Sequence, residues 1–226
     1  MPSNFRRVFT SSVGTKLLIG LTGLALFVYL VLHLVGNALV FLGQDTFNEY
    51  SHTLTSNPLI APIEIGLLLI FLLHVYKTVT MFLSNQHARP AGYAMKKRAD
   101  HTSRKSLASS TMIVSGLWLL LFIVIHVKAF RYGTEYEWAE GGRDLYRLEM
   151  ENFSNPLIVV FYILSMVVVG SHLWHGASSA FQSLGLDHPR WTPRIRATGK
   201  VLAVLIAGGF ITIAVWAYLV AIQVLQ

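Results

Sequence analysis

Residues 17–36 read Leu-Leu-Ile-Gly-Leu-Thr-Gly-Leu-Ala-Leu-Phe-Val-Tyr-Leu-Val-Leu-His-Leu-Val-Gly, twenty positions without a charge. A helix of that length crosses the hydrocarbon core of a bilayer, which is about 30 Å thick. Extended to its flanking signals, the run predicts a span over about 13–42, with Gly43 after it. Four similar stretches follow, at about 58–83, 107–130, 156–184 and 195–225. The chain is therefore read as all-α, a single domain of residues 1–226 forming a bundle of five transmembrane helices.

Composition agrees. Of 226 residues, 54% are hydrophobic and 13% charged, roughly half the charge content of an ordinary soluble domain. There is no cysteine, which excludes disulfides, iron–sulfur ligation, cysteine–zinc sites and thioether-linked haem. The opening Met1-Pro2-Ser3-Asn4-Phe5-Arg6-Arg7 suits a signal peptide. The apolar run behind it is too long for one and has no convincing small-residue cleavage site, so the first span is expected to be retained. Asn57-Pro58 and Asn155-Pro156 are expected to open the second and fourth spans, with proline at an early helical position. Gly185, Pro189 and Pro193 stop the fourth helix from continuing into the fifth. Ser56-Asn57-Pro58-Leu59-Ile60 is repeated as Ser154-Asn155-Pro156-Leu157-Ile158, a short echo suggestive of duplicated helix pairs.

The net charge of +7 needs no nucleic-acid partner, because the cations flank the spans and orient them. Arg6, Arg7, Lys16, Arg89, Lys96, Lys97, Arg98, Arg104, Lys105, Arg190, Arg194, Arg196 and Lys200 share one side. The other side has only Lys128, Arg131, Arg143 and Arg147, set among six carboxylates. The positive-inside rule then places the N-terminus in the cytoplasm and the C-terminus outside. The expected location is the plasma (inner) membrane, crossed several times.

Five histidines fall inside spans: His33, His74, His126, His172 and His175. Ionisable groups there are costly and tend to face a functional interior. At 1.5 Å per residue, His33 and His126 lie ~13 and ~8 Å from the outer ends of their helices, and His74 and His172 ~24 Å. They sort into an outer layer joining spans I and III and an inner layer joining II and IV, roughly 14 Å apart. Two pairs of imidazoles in an apolar bundle suit two bis-histidine haems. Zinc asks for three or four ligands in one layer. A proton relay asks for carboxylates near the histidines, and the only acid well inside a span is Glu64. Gly36, Gly66 and Gly176 lie roughly on the ligand faces and would leave room for a macrocycle. His172 and His175 are three residues apart and compete for one ligand role; depth alone favours His172 without deciding it.

Leu32-His33-Leu34-Val35-Gly36-Asn37, Phe47-Asn48-Glu49-Tyr50, Leu73-His74-Val75-Tyr76, Ile125-His126-Val127 and Ser171-His172-Leu173-Trp174-His175-Gly176 occur in that order. As a set they resemble the dihaem cytochrome b membrane subunit of succinate:menaquinone reductases and related fumarate reductases. The resemblance covers all five spans. It implies two haem b, one on His33 and His126, the other on His74 and His172, with His172 preferred over His175. His175 would then contact a haem propionate or a quinone, or serve packing alone.

The resemblance also implies menaquinone as substrate and two cytoplasmic partners, a flavoprotein carrying FAD and an iron–sulfur protein. Lys96, Lys97 and Arg98 are candidate docking cations, although topology alone accounts for them. Glu64 is either a carboxyl at a helix N-terminus or a proton donor to the quinone. Some fumarate reductases of the family carry a carboxylate two residues before the span IV ligand. Here that position is Gly170, which tilts the expectation toward succinate oxidation. Competing expectations are a fumarate reductase anchor, a hydrogenase or formate dehydrogenase cytochrome, a transmembrane ferric reductase, and a haem-free anchor or transporter.

Overall fold

A computed structural model describes residues 11–88, 110–186 and 188–224. Helix α1 (Ser12–Asn37) continues as a 3-10 segment, Ala38–Leu42. Then come α2 (Gln44–Thr55), α3 (Ile60–His87), α4 (Met112–Phe130), α5 (Leu145–Ser154), α6 (Pro156–Ser183) and α7 (Thr192–Val224). Helices α1, α3, α4, α6 and α7 are long and apolar enough to cross a membrane. No strand occurs among the described residues, only an isolated bridge between Glu137 and Arg143. The expected all-α bundle of five spanning helices is the fold, and its wide apolar surface suits contact with a lipid bilayer. The N-terminal residues Arg6 and Arg7 and the loop cations Arg89, Lys96, Lys97, Arg98, Arg104 and Lys105 lie outside the described residues.

Helix boundaries follow from local chemistry. The Ser11 hydroxyl accepts the Gly14 N–H at 3.0 Å and caps α1. Gly43, at φ +99°, takes the left-handed conformation that ends the 3-10 segment before α2. Pro156 opens α6 as expected, with the Asn155 side chain accepting from Leu157 N–H at 2.9 Å. Pro58 does not open α3. Asn57 makes the equivalent bond to Leu59 N–H at 2.9 Å, but the chain turns once more and the helix starts at Ile60. Pro62 sits in the first turn of α3, where its missing N–H has no intrahelical acceptor to lose.

Helix α6 is the centre of the bundle. Its buried residues Val159, Tyr162, Ser165, Met166, Val169, Leu173, Ala177 and Ala180 recur every three or four positions along one side. Against it α7 presents Ala203, Ile206, Ala207, Ala214 and Ala217, all buried. Small side chains let two backbones approach, and dispersion between close-packed helices holds a bundle together where lipid is as apolar as leucine. Helix α3 has no buried residue. It is peripheral, and its exposed Ile65, Leu68, Leu69 and Leu72 form a face that suits lipid.

The two connections of α1–α3 and α4–α6 meet at one end of the bundle. There α2 and α5 pack on each other and α5 packs on α7, forming a cap. Buried Asp144 ties it together: its carboxylate accepts from Gln44 Nε2 at 2.7 Å, Asn48 Nδ2 at 2.8 Å and the Arg147 N–H at 2.9 Å. The Arg143 guanidinium donates to the carbonyls of Phe130, Arg131, Gly133 and Thr134, closing the C-terminus of α4.

Candidate functional site

Below the cap, α1 and α4 bring His33 and His126 together. Their ring centroids are 5.9 Å apart and the rings are nearly perpendicular, at 87°. Tyr29 stacks on His33 at 5.4 Å, Phe210 of α7 lies against it at 5.6 Å, and Phe122 stacks on His126 at 5.6 Å. An aromatic wall thus surrounds this pair. The Nδ1 of His126 is 3.2 Å from the Tyr162 hydroxyl of α6. The Nδ1 of His33 is 3.2 Å from the Asn37 amide nitrogen, which also donates to the His33 carbonyl at 2.7 Å.

Further from the cap, His74 of α3 turns its Nδ1 to the Thr22 hydroxyl of α1 at 3.0 Å. His172 of α6 turns its Nδ1 to the Ser115 hydroxyl of α4, also at 3.0 Å. His172 lies within electrostatic reach of His74 and His175. Thr22 and Ser115 each precede the histidine of their own helix by eleven residues, a rise of ~16 Å. The two pairs therefore sit at two depths, as the sequence spacing predicts.

Among the described residues no three His, Cys, Asp or Glu gather as a metal site; the imidazoles are paired. Bonds of about 2 Å from a metal to each of two opposed imidazoles, plus the ring radii, separate the centroids by about 6 Å. The 5.9 Å between His33 and His126 fits that span, as does an all-nitrogen donor set in apolar surroundings for haem iron.

His175 is half-buried on the same helix as His172; its carbonyl accepts from the Ser178 hydroxyl at 3.2 Å. Glu64 lies in the second turn of α3, where its carboxylate pairs with Arg131 at 3.4 Å, both side chains about half exposed. Of the three glycines expected to make room on the ligand faces, Gly36 instead receives Tyr50, whose hydroxyl lies 2.7 Å from where a Cβ would stand. A Cβ on Gly66 or Gly176 would meet nothing within 4 Å. The close glycines are on the opposing helices. A Cβ on Gly23 would stand 3.1 Å from His74 Cε1, and one on Gly116 3.9 Å from His172 Cε1.

Sequence reasoning missed Thr22, Ser115 and Tyr162, and the signal was present. Thr22-Gly23 and His33 recur as Ser115-Gly116 and His126, displaced by 93 positions. Asn57-Pro58 and His74 recur as Asn155-Pro156 and His172, displaced by 98. The short echo is one part of a repeat that spans both helix pairs.

Outside the spans, Glu149 of α5 is 4% exposed. Burial raises its carboxyl from 4.5 to about 8. Its field reaches both Tyr146 and Tyr162. No family model matches this chain, and neither a curated protein nor a solved structure does.

Proposed function

We propose that this chain is the membrane-anchor cytochrome b subunit of a succinate dehydrogenase complex, holding two b haems and serving menaquinone reduction. The observation that carries this reading is the distribution of four histidines from four helices into two pairs at two depths. Each of the four has a polar partner at Nδ1; at His74, His126 and His172 it is a hydroxyl, which can accept an Nδ1 proton and so leave Nε2 for a ligand. Metal-binding histidines are habitually held in this way through their second nitrogen. A haem bound at each pair would supply reversible one-electron transfer. The chain's own part is to hold the iron through His33 and His126, and through His74 and His172, and to keep water out with Tyr29, Phe122 and Phe210.

The chain has no cysteine, so iron–sulfur clusters belong to a partner subunit, and the proposed reaction places FAD in another. These are an iron–sulfur protein and a flavoprotein on the side of the basic 89–105 loop, which the proposed plasma-membrane topology makes cytoplasmic. Electron flow outward, away from a negative cytoplasm, gains ~2.3 kcal/mol per charge per 100 mV, which helps succinate reduce a low-potential quinone. Gly170 supports this direction over fumarate reduction. The chain has no carboxylate at this position, where some fumarate reductases of the resembled family carry one.

The test is a reduced-minus-oxidised spectrum with haem quantification on the purified complex. Two haems per chain are expected, with one lost in His33→Ala and one in His74→Ala. The absence of a b-type band, or unchanged haem content in both variants, overturns the assignment. Co-purification of subunits with succinate:menaquinone activity tests the partners.

A further inference from the structure

The two hydroxyls beside the cap-distal histidines have their own hydrogens already engaged. Thr22 Oγ1 donates to the Leu18 carbonyl at 2.6 Å, with the Ile19 carbonyl also near at 3.2 Å. Ser115 Oγ donates to the Met112 carbonyl at 3.0 Å. A hydroxyl has one hydrogen and two lone pairs. Once a carbonyl of its own helix takes the hydrogen, the oxygen can only accept from a further partner. At 3.0 Å in each case that partner is an imidazole Nδ1, which must then carry the proton.

We infer that Thr22 and Ser115 are positioning residues, fixing His74 and His172 in the Nδ1–H tautomer and orienting the bare Nε2 lone pairs as metal-ligating atoms. Three further features converge on this. Both hydroxyls are nearly buried, 8% exposed each, so water does not compete for the imidazole proton. Each is followed by a glycine facing the same histidine, Gly23 and Gly116, so the imidazole can lie close to the opposing backbone. The hydroxyl–glycine pair occurs twice, each time eleven residues ahead of the other histidine of its helix. A single mid-helix serine or threonine that bonds back to its own carbonyl is ordinary. Two at equivalent places in a repeat, each reaching across to a histidine of the following span, are a device.

The inference rests on the proposed haem binding, and it goes further by assigning control of both cap-distal ligands to side chains that never touch the iron. An Nδ1–H donated to an acceptor makes the opposite nitrogen a better ligand, and loss of such a partner commonly weakens metal binding roughly 10- to 100-fold. Thr22→Val keeps the shape and removes the acceptor; Ser115→Ala does the same at lower volume. Thr22→Ser and Ser115→Thr restore it. The experiment is redox titration and low-temperature electron paramagnetic resonance of the purified complex, with haem dissociation measured alongside.

Thr22→Val and Ser115→Ala are expected to raise the potential and shift the resonance of the same haem, weaken its binding by roughly 10-fold or more, and leave the second haem untouched. The conservative exchanges return it to the original. Bound haem with unchanged potential, resonance and dissociation in both hydroxyl-free variants overturns the inference while leaving the dihaem reading intact. A wild-type complex without a b-type spectrum overturns both.

Discussion

The pair His74/His172 and the pair His33/His126 are built from the same repeat, yet they are held in different ways. The cap-distal imidazoles each face a hydroxyl of a neighbouring helix at 3.0 Å, with a glycine beside it. The cap-proximal imidazoles have unlike partners: a phenol from α6 for His126 and an amide from its own helix for His33. An amide nitrogen can only donate. The Asn37 contact therefore gives His33 the opposite tautomer, unless the amide turns and gives up its bond to the His33 carbonyl. The same imidazole can thus be set by a rigid rule at one depth and by an adjustable side chain at the other. The adjustable pair lies under the cap and its polar residues. On the proposed function, the pair away from the cap would suit electron relay, and the pair beside the cap exchange with a substrate that takes up protons.

The largest expected effect breaks the cap-distal pair alone. A Cβ at position 23 already stands 3.1 Å from His74 Cε1, so Gly23→Leu drives a branched side chain into the imidazole. The variant should retain one haem of two, the survivor being the His33/His126 haem, as counted by haem extraction against protein. Gly66→Leu, on a surface with nothing within 4 Å, is the matched control and should retain both. Two haems in Gly23→Leu would show that His74 does not need the close approach.

The cap-proximal pair is distinguished next by pH. The Glu149 carboxyl is raised from 4.5 to about 8 by burial, and its field reaches Tyr162, the partner of His126. Below pH 4.5 the carboxyl is protonated whether the cap is folded or not, and it costs nothing. Between 4.5 and about 8 the unfolded cap ionises while the folded one holds its proton, so stability falls as pH rises. Above about 8 the loss levels off. At roughly 1.4 kcal/mol per pH unit, the rise from 4.5 to about 8 bounds the effect at about 5 kcal/mol. Protease sensitivity of the 131–155 segment should therefore increase from pH 5 to pH 8 in the wild type and stay flat in Glu149→Gln. The His74/His172 spectrum should not follow it. Equal sensitivity of wild type and variant across that range would refute the argument.

The five spans and the two depths were legible because both depend on one-dimensional quantities: apolar length, and rise per residue from a helix end. Depth alone left the choice between His172 and His175 open, and the contact of His172 Nδ1 with Ser115 was not readable from it. What was not legible depended on which helix face meets which. Gly36 looked like ligand space from its place three residues after His33, but α2 folds back over it and fills that side with Tyr50. The glycines that do approach an imidazole, Gly23 and Gly116, belong to the facing helices, and no single-helix periodicity points to them. Thr22 and Ser115 look like ordinary small residues of a membrane helix. They become conspicuous only when the two helix pairs are laid over each other at displacements of 93 and 98.

That overlay also places Glu64 in α3 where Tyr162 stands in α6, each ten residues ahead of a cap-distal histidine. Tyr162 is buried and bonds His126; Glu64 turns outward to Arg131 at 3.4 Å, with 46% of its side chain exposed. The repeat thus places a polar side chain at equivalent positions twice, one bonded to His126 and the other in a surface ion pair. Such a pair contributes at most about 1 kcal/mol. Glu64→Gln should leave both haems bound and shift thermal stability by no more than that. With structure and haem content preserved, menaquinone reduction then isolates the chemistry. A rate that falls in Glu64→Gln and not in Arg131→Gln identifies the carboxyl as the proton donor. An unchanged rate removes Glu64 from the reaction and leaves the asymmetry of the repeat to Tyr162 alone.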